Sequence, residues 1–240
     1  MRSFWRTLDQ GVLRAIILVC LADAIAGASF GALTVSGGLP AWVPVAMSVL
    51  IFAGGAQFAA AGVVLAGGSP AAAVLAGLVL NARILPFGFT VGDAVGGSWW
   101  ARLLGAHLIV DETVAFTQRY DEPRRRRAAF LISGLALFLC WNAAVALGAL
   151  AGAAMPDPGR FGLDATYPTV LLALVLPSLG DRRIRGAAVI GAAIAVAVAP
   201  FVPAGLPVLF ALVGLAVVIR PTDSKAPSGR AGLSHVPEES

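Results

Sequence analysis

The chain predicts an all-α, polytopic transmembrane helical bundle of about seven to eight spans with both termini cytoplasmic, and three observations carry that expectation. Of its 240 residues 58% are hydrophobic and 12% charged, against roughly 45–50% and about 25% in an ordinary soluble domain. Residues 24–82 form 59 consecutive positions without Asp, Glu, Lys or Arg, and 128–156 and 186–219 add runs of 29 and 34. One helix needs about 20 apolar residues to cross the roughly 30 Å hydrocarbon layer, so these runs hold several crossings. The runs are also continuous rather than alternating. In lipid the backbone must bond to itself, and continuous runs favour helices over a closed barrel.

Cutting the runs at Gly, Pro and charge clusters predicts spans at 11–35, 41–66, 70–90, 103–118, 128–154, 165–180, 186–201 and 205–219. The first begins behind Arg2, Arg6 and Arg14, and Ala22-Asp23-Ala24 resembles a signal-peptide cleavage site. The apolar stretch runs on to Val35, long enough to span and remain. The fourth and sixth segments hold only 16 residues each, so a re-entrant segment or a seven-span count is the alternative to eight. With the amino terminus in the cytoplasm, eight crossings place 14 of the 17 basic residues on the cytoplasmic side, among them Arg119 and Arg124 to Arg127. The predicted organisation is a cytoplasmic segment at 1–10, a transmembrane domain at 11–220 and a disordered cytoplasmic tail at 221–240, rich in Pro, Ser and Gly. No fixed repeat is visible, though inverted repeats in membrane proteins often leave little sequence trace.

Several function classes are excluded. The pI of about 9.8 arises from Arg clusters between spans, an orientation signal rather than a nucleic-acid face. No phosphate loop, zinc signature, Cys/His metal spacing or nucleophile elbow occurs, so no enzyme, metal or cofactor is expected. Cys20 and Cys140 fall within spans, where thiols usually pack as small hydrophobes.

The informative residues are those a membrane disfavours. Asp23, Arg83, Asp111 and Glu112 lie within predicted spans with His107 beside them. At about 2.5–3.5 kcal/mol per central charge, the burden is on the order of 10 kcal/mol. Asp111 follows His107 by four residues, so the two are expected to share a helix face, with Glu112 turned about 100° away. The pair sits either at an interface or as proton-titratable groups in an aqueous pathway. Arg83 requires an acid or a substrate carboxylate: it forms a structural ion pair with Asp23, Asp111 or Glu112, or it holds a ligand bidentately. Gln57 and Asn81 join helices or contact a ligand. Gly27/Gly31, Gly88/Gly92 and Gly148/Gly152 are G-x-x-x-G pairs, read first as close packing. Gly54-Gly55, Pro86 and Pro177 are instead positioned to break helices and free backbone groups for a solute.

Phe30-Gly31-Ala32, Phe52-Ala53-Gly54-Gly55-Ala56-Gln57-Phe58, Leu80-Asn81-Ala82-Arg83, Asp111-Glu112 and Leu176-Pro177-Ser178-Leu179 together resemble the AzlC-type (azaleucine resistance) branched-chain amino acid permeases over residues 13–219. The resemblance implies the large subunit of a two-component exporter of leucine, isoleucine and valine in a bacterial-type cell (inner) membrane. Its partner would be a small AzlD-type membrane subunit. It points to Gln57, Asn81 and Arg83 for substrate and to Asp111 and Glu112 for protons, with His107 and Asp23 as further proton groups from the residues themselves. Two departures stand out: Asp23 where many members have Pro, and Ile84 where many have His. The expected activity is proton-coupled export of small apolar amino acids. The alternatives are a non-transporting scaffold subunit and an exporter of another small organic solute.

Overall fold

The computed structural model describes residues 8–154, 172, 176–202 and 206–215; the predicted sixth span, 165–180, lies largely outside them. Among the described residues all regular structure is helical. In chain order come α1 (Gln10–Ser36), α2 (Trp42–Leu50), α3 (Gly54–Leu65), α4 (Pro70–Asn81), α5 (Ile84–Val95), α6 (Trp99–His107), α7 (Asp111–Thr117) and α8 (Pro123–Ala153). A 3-10 turn (Leu176–Gly180), α9 (Arg182–Val198) and α10 (Leu206–Ala211) follow. Among the described residues three helical segments are long and apolar enough to cross a membrane, α1, α8 and Arg182–Phe201, and α4 with α5 makes a fourth if their 53° bend is one broken span.

α1 and α8 form the spine, and they run parallel. Ile16 packs with Ala129 and Ile132 near their beginnings, the Cys140 thiol donates to the Cys20 carbonyl at 3.1 Å, and Gly152 abuts Ala32 near their ends. Glycine makes the approach possible: a Cβ on Gly31 would collide with the Val145 carbonyl, and one on Gly148 with that of Ala28. Close packing is thus correct for Gly27/Gly31 and Gly148/Gly152. It fails for Gly88/Gly92, where a Cβ would meet nothing within 4 Å. Phe30, Phe58, Phe130, Leu137 and Val145 fill the core beside the spine. Large side chains such as Ile25, Leu139, Leu147 and Phe89, the last 92% exposed, face outward, as a hydrocarbon environment favours and water does not.

The second and fourth predicted spans do not continue through; each turns back on itself. α2 descends antiparallel to α8, with the Ser48 hydroxyl donating to Asn142 Oδ1 at 2.6 Å. The chain then reverses at 51–53, and α3 climbs back until Leu65 touches Gly37, where α1 ends. At the reversal Phe52 adopts φ +41°, a conformation costly for a bulky residue, and its ring is held against Phe138 and His107 at 5.0 and 6.0 Å between centroids. α4 starts at the same end of the molecule. Pro86 supplies no N–H to the Ala82 carbonyl one turn back, so the helix kinks beside Arg83, and α5 delivers Asp93 to the end where α1 begins. There Arg126 grips Asp93 through Nε and Nη2 at 2.7 and 3.0 Å. α6 rises from that end, the chain reverses at 108–110, and α7 returns to Tyr120, whose hydroxyl donates to Asp9 Oδ2 at 3.0 Å. Burial raises the Tyr120 pKa, so the phenol stays a donor.

The first two elements, a through-going α1 and the α2–α3 hairpin, are therefore matched upside down by the bent α4–α5 and the α6–α7 hairpin. This is an inverted-topology arrangement that no sequence periodicity revealed. It also preserves the charge pattern: Arg125 lies 3.9 Å from Asp9, so the 119–127 cluster shares a side with the amino terminus, as the basic-residue count requires.

Candidate functional site

The three breaks, at 51–53, 82–83 and 108–110, converge at mid-height on a cavity of about 110 Å³, room for several waters or a small solute. α1 and α8 wall it with Asp23, Ala26 and Trp141; α3 adds Gly54, Gly55 and Phe58; the kink adds Arg83 and Ile84; the 108–110 break adds Val110, and α7 adds Asp111 and Glu112. Asp23 is the fourteenth of the 27 residues of α1, about 20 Å from either end at 1.5 Å per residue.

Local sequence explains how each group arrives. Gly54-Gly55 is a poor helix interior and starts α3 afresh beneath the strained Phe52. At the 108–110 break, Thr113 Oγ1 accepts from the Val110 N–H at 2.9 Å and donates to the Leu108 carbonyl at 2.9 Å. That hydroxyl satisfies backbone groups the reversal would otherwise strand. Asp111 and Glu112 then open α7, where the helix dipole favours acids.

Within the cavity Arg83 Nη2 bonds Asp111 Oδ2 at 2.8 Å. Of the three acids open to Arg83, the fold selects Asp111. Among the described residues the lining thus carries one guanidinium against three carboxyls, and none of them gives Asp23 or Glu112 a partner cation there. A low-dielectric cavity with this imbalance favours a ligand bearing an ammonium group.

The other predicted residues lie elsewhere. His107 and Asp111 do not share a helix face, because the helix ends at His107 and restarts at Asp111. His107 Nε2 instead pairs with the Val49 carbonyl at 2.8 Å, tying one hairpin tip to the other. Asn81 lines a separate, almost wholly apolar groove between α2, α3 and α4. Gln57 is fully buried, and neither amide atom has a partner among the described residues. Trp141 was not singled out from the sequence, yet it lines the cavity and its buried Nε1 is likewise unpartnered. Its one visible signal was an indole beside Asn142 in the middle of a long apolar run.

A charged, solute-sized cavity at mid-height of an apolar bundle, reached by helix breaks from both ends, defines a membrane transporter. The chain belongs to the AzlC protein family, which matches residues 18–155 and so takes in every wall of the cavity. It is similar to the branched-chain amino acid transport protein AzlC of Bacillus subtilis (strain 168), with 25% identity over 207 residues, 83% of this chain and 80% of the relative. A second relative is an uncharacterized membrane protein of Helicobacter pylori (strain ATCC 700392 / 26695), 32% identical over 104 residues, 43% of this chain and 46% of the relative. No solved structure matches the chain.

Proposed function

We propose that the protein exports branched-chain or similar small apolar amino acids across a bacterial cell membrane, driven by inward proton movement and acting with a small AzlD-type subunit. The observation that carries this reading is the Arg83–Asp111 pair inside a cavity holding two further acids; the Bacillus relative, a branched-chain amino acid transport protein, supports the substrate class. Arg83 receives the substrate carboxylate bidentately. Taking it releases Asp111, which joins Asp23 and Glu112 around the substrate ammonium, and a proton on these carboxyls removes the charge that holds the ammonium. Substrate and proton thereby occupy the site in turn, which is the requirement for exchanging an outgoing amino acid for an incoming proton. Asn81 and His107 drop out of this scheme, the first facing the apolar groove and the second held by Val49.

One proton per substrate suffices. Moving a charge down 100 mV releases about 2.3 kcal/mol, roughly a fifty-fold gradient before any pH difference is counted. The direct test loads cells with leucine-containing dipeptides and follows leucine in the medium. Deleting this gene together with its small partner is expected to slow efflux and raise internal leucine; unchanged efflux overturns the proposal.

A further inference from the structure

The turn between α5 and α6, at the end of the molecule where α1 begins, gathers positive charge that no acid among the described residues neutralises. The bent α4–α5 crossing delivers this turn to the same end as the 119–127 cluster, where Arg126 is held by Asp93 and Arg125 lies near Asp9 and Glu122. Two further guanidiniums converge on Gly96. Arg102 donates from Nε to the Gly96 carbonyl at 3.3 Å, and its two Nη groups find no acceptor among the described residues. A Cβ on Gly96 would lie 3.6 Å from Arg127 Nη2. Neither Arg102 nor Arg127 has an ion pair among the described residues. Like charges held together are unfavourable until an anion joins them. Gly96 permits the convergence: its φ of +133° disfavours a side chain, and a Cβ there would lie 3.0 Å from the Ala101 Cβ.

The surroundings identify the anion. α6 opens with Trp99 and Trp100, whose rings stack at 3.5 Å between centroids and are 62% and 59% exposed. Leu103 and Leu104 extend the exposed apolar surface, and the exposed Arg102 stands among them. In a bilayer the leucines meet acyl chains, and indoles lie at the level of the headgroups. A guanidinium on a long apolar stem beside them reaches the phosphates. The basic-residue count assigns this end to the cytoplasm, whose leaflet is the anionic one. Neither arginine lines the central cavity.

We propose that Arg102 and Arg127, gathered at Gly96 and flanked by Trp99 and Trp100, form a binding site for the headgroup of an anionic phospholipid of the cytoplasmic leaflet. The planar guanidiniums take the phosphate oxygens in two-point contacts, and the indoles rest against the glycerol region. The lipid ties the α5–α6 turn to the beginning of α8, beside the grip of Arg126 on Asp93. A zwitterionic lipid offers the same phosphate but brings its own cation, so net charge sets the preference. The site is independent of what the cavity carries.

The test measures radiolabelled phosphatidylglycerol bound to the full-length protein in neutral detergent, with unlabelled phosphatidylglycerol, phosphatidylcholine of the same chains, or inorganic phosphate as competitor. The wild type is expected to prefer phosphatidylglycerol over phosphatidylcholine by roughly thirty-fold, the combined attraction of two arginines near an anionic surface. Arg102→Gln with Arg127→Gln is expected to reduce the preference to within about three-fold at an unchanged melting temperature, since both side chains are exposed. Arg14→Gln with Arg124→Gln removes two exposed charges from the same end and is expected to keep the preference. Equal binding of the two lipids by the wild type would overturn the site without any variant. An equal loss in the Arg14 and Arg124 control would replace it with a diffuse positive field. Displacement of the lipid by millimolar inorganic phosphate would make it a site for soluble phosphate and overturn the lipid assignment.

Discussion

Removing either member of the Arg83–Asp111 pair separates a transport role from a structural one. The contact is 2.8 Å long, and the two side chains are 49% and 41% exposed, which places it between two regimes. Exposed pairs contribute roughly 0–1 kcal/mol, and breaking a buried pair costs about 3–5 kcal/mol. An intermediate loss of roughly 1–3 kcal/mol is expected for Arg83→Gln or Asp111→Asn alone, with most of it recovered in the double variant because no charge is then stranded. At about 2–4 °C per kcal/mol for a chain of this length, each single variant should unfold roughly 2–12 °C lower in a thermal scan. Leucine efflux should behave differently: it is lost in both single variants and stays lost in the double, since neither the carboxylate ligand nor the proton carrier has returned. Two results would refute the reasoning. Efflux restored with stability in the double variant would make the pair structural, and additive stability losses would mean that the groups are not coupled.

Other variants probe the frame around the cavity. Gly148→Ala drives a methyl into the Ala28 carbonyl and should cost about 1–3 kcal/mol through overpacking of the α1–α8 seam, whereas Gly88→Ala, with open space around it, should leave the melting temperature within about 2 °C of wild type. His107→Gln retains an amide donor for the Val49 carbonyl and should preserve the pH profile of efflux, while His107→Phe should slow transport at every pH; a pH optimum displaced by the Gln substitution would restore His107 as a proton group. Asp93→Asn weakens the two-point grip of Arg126 and should increase labelling by a membrane-impermeant thiol reagent of a cysteine placed at Thr90, whose carbonyl Arg126 also holds at 2.9 Å.

Much of the site was legible as chemistry before it was legible as geometry. A charge in a membrane is expensive wherever it lies along a helix, so Asp23, Arg83, Asp111 and Glu112 identified themselves by cost alone, and all four line one cavity. Gln57 and Asn81 carried the same polar signal yet point to different surroundings, because a side chain's direction depends on the rotation of its helix against neighbours. Trp141 was hidden for the opposite reason: an indole in an apolar run costs little until its N–H is buried without a partner.

The sequence by itself determined that this chain is a membrane-embedded helical protein, that the basic cluster at 119–127 shares a side with Asp9, and which residues pay the cost of being there. Those conclusions follow from composition and from local free energies that do not require a neighbour. Only the tertiary structure decided that the segments 41–66 and 103–118 turn back at mid-height, that α1 and α8 run parallel, that the hairpins approach from opposite ends, and that Arg83 takes Asp111 among three acids. Hydropathy measures how long a stretch is apolar, not whether its backbone is continuous. A break is tolerated only where assembled neighbours, such as the hydroxyl of Thr113 at 108–110, satisfy the groups it frees.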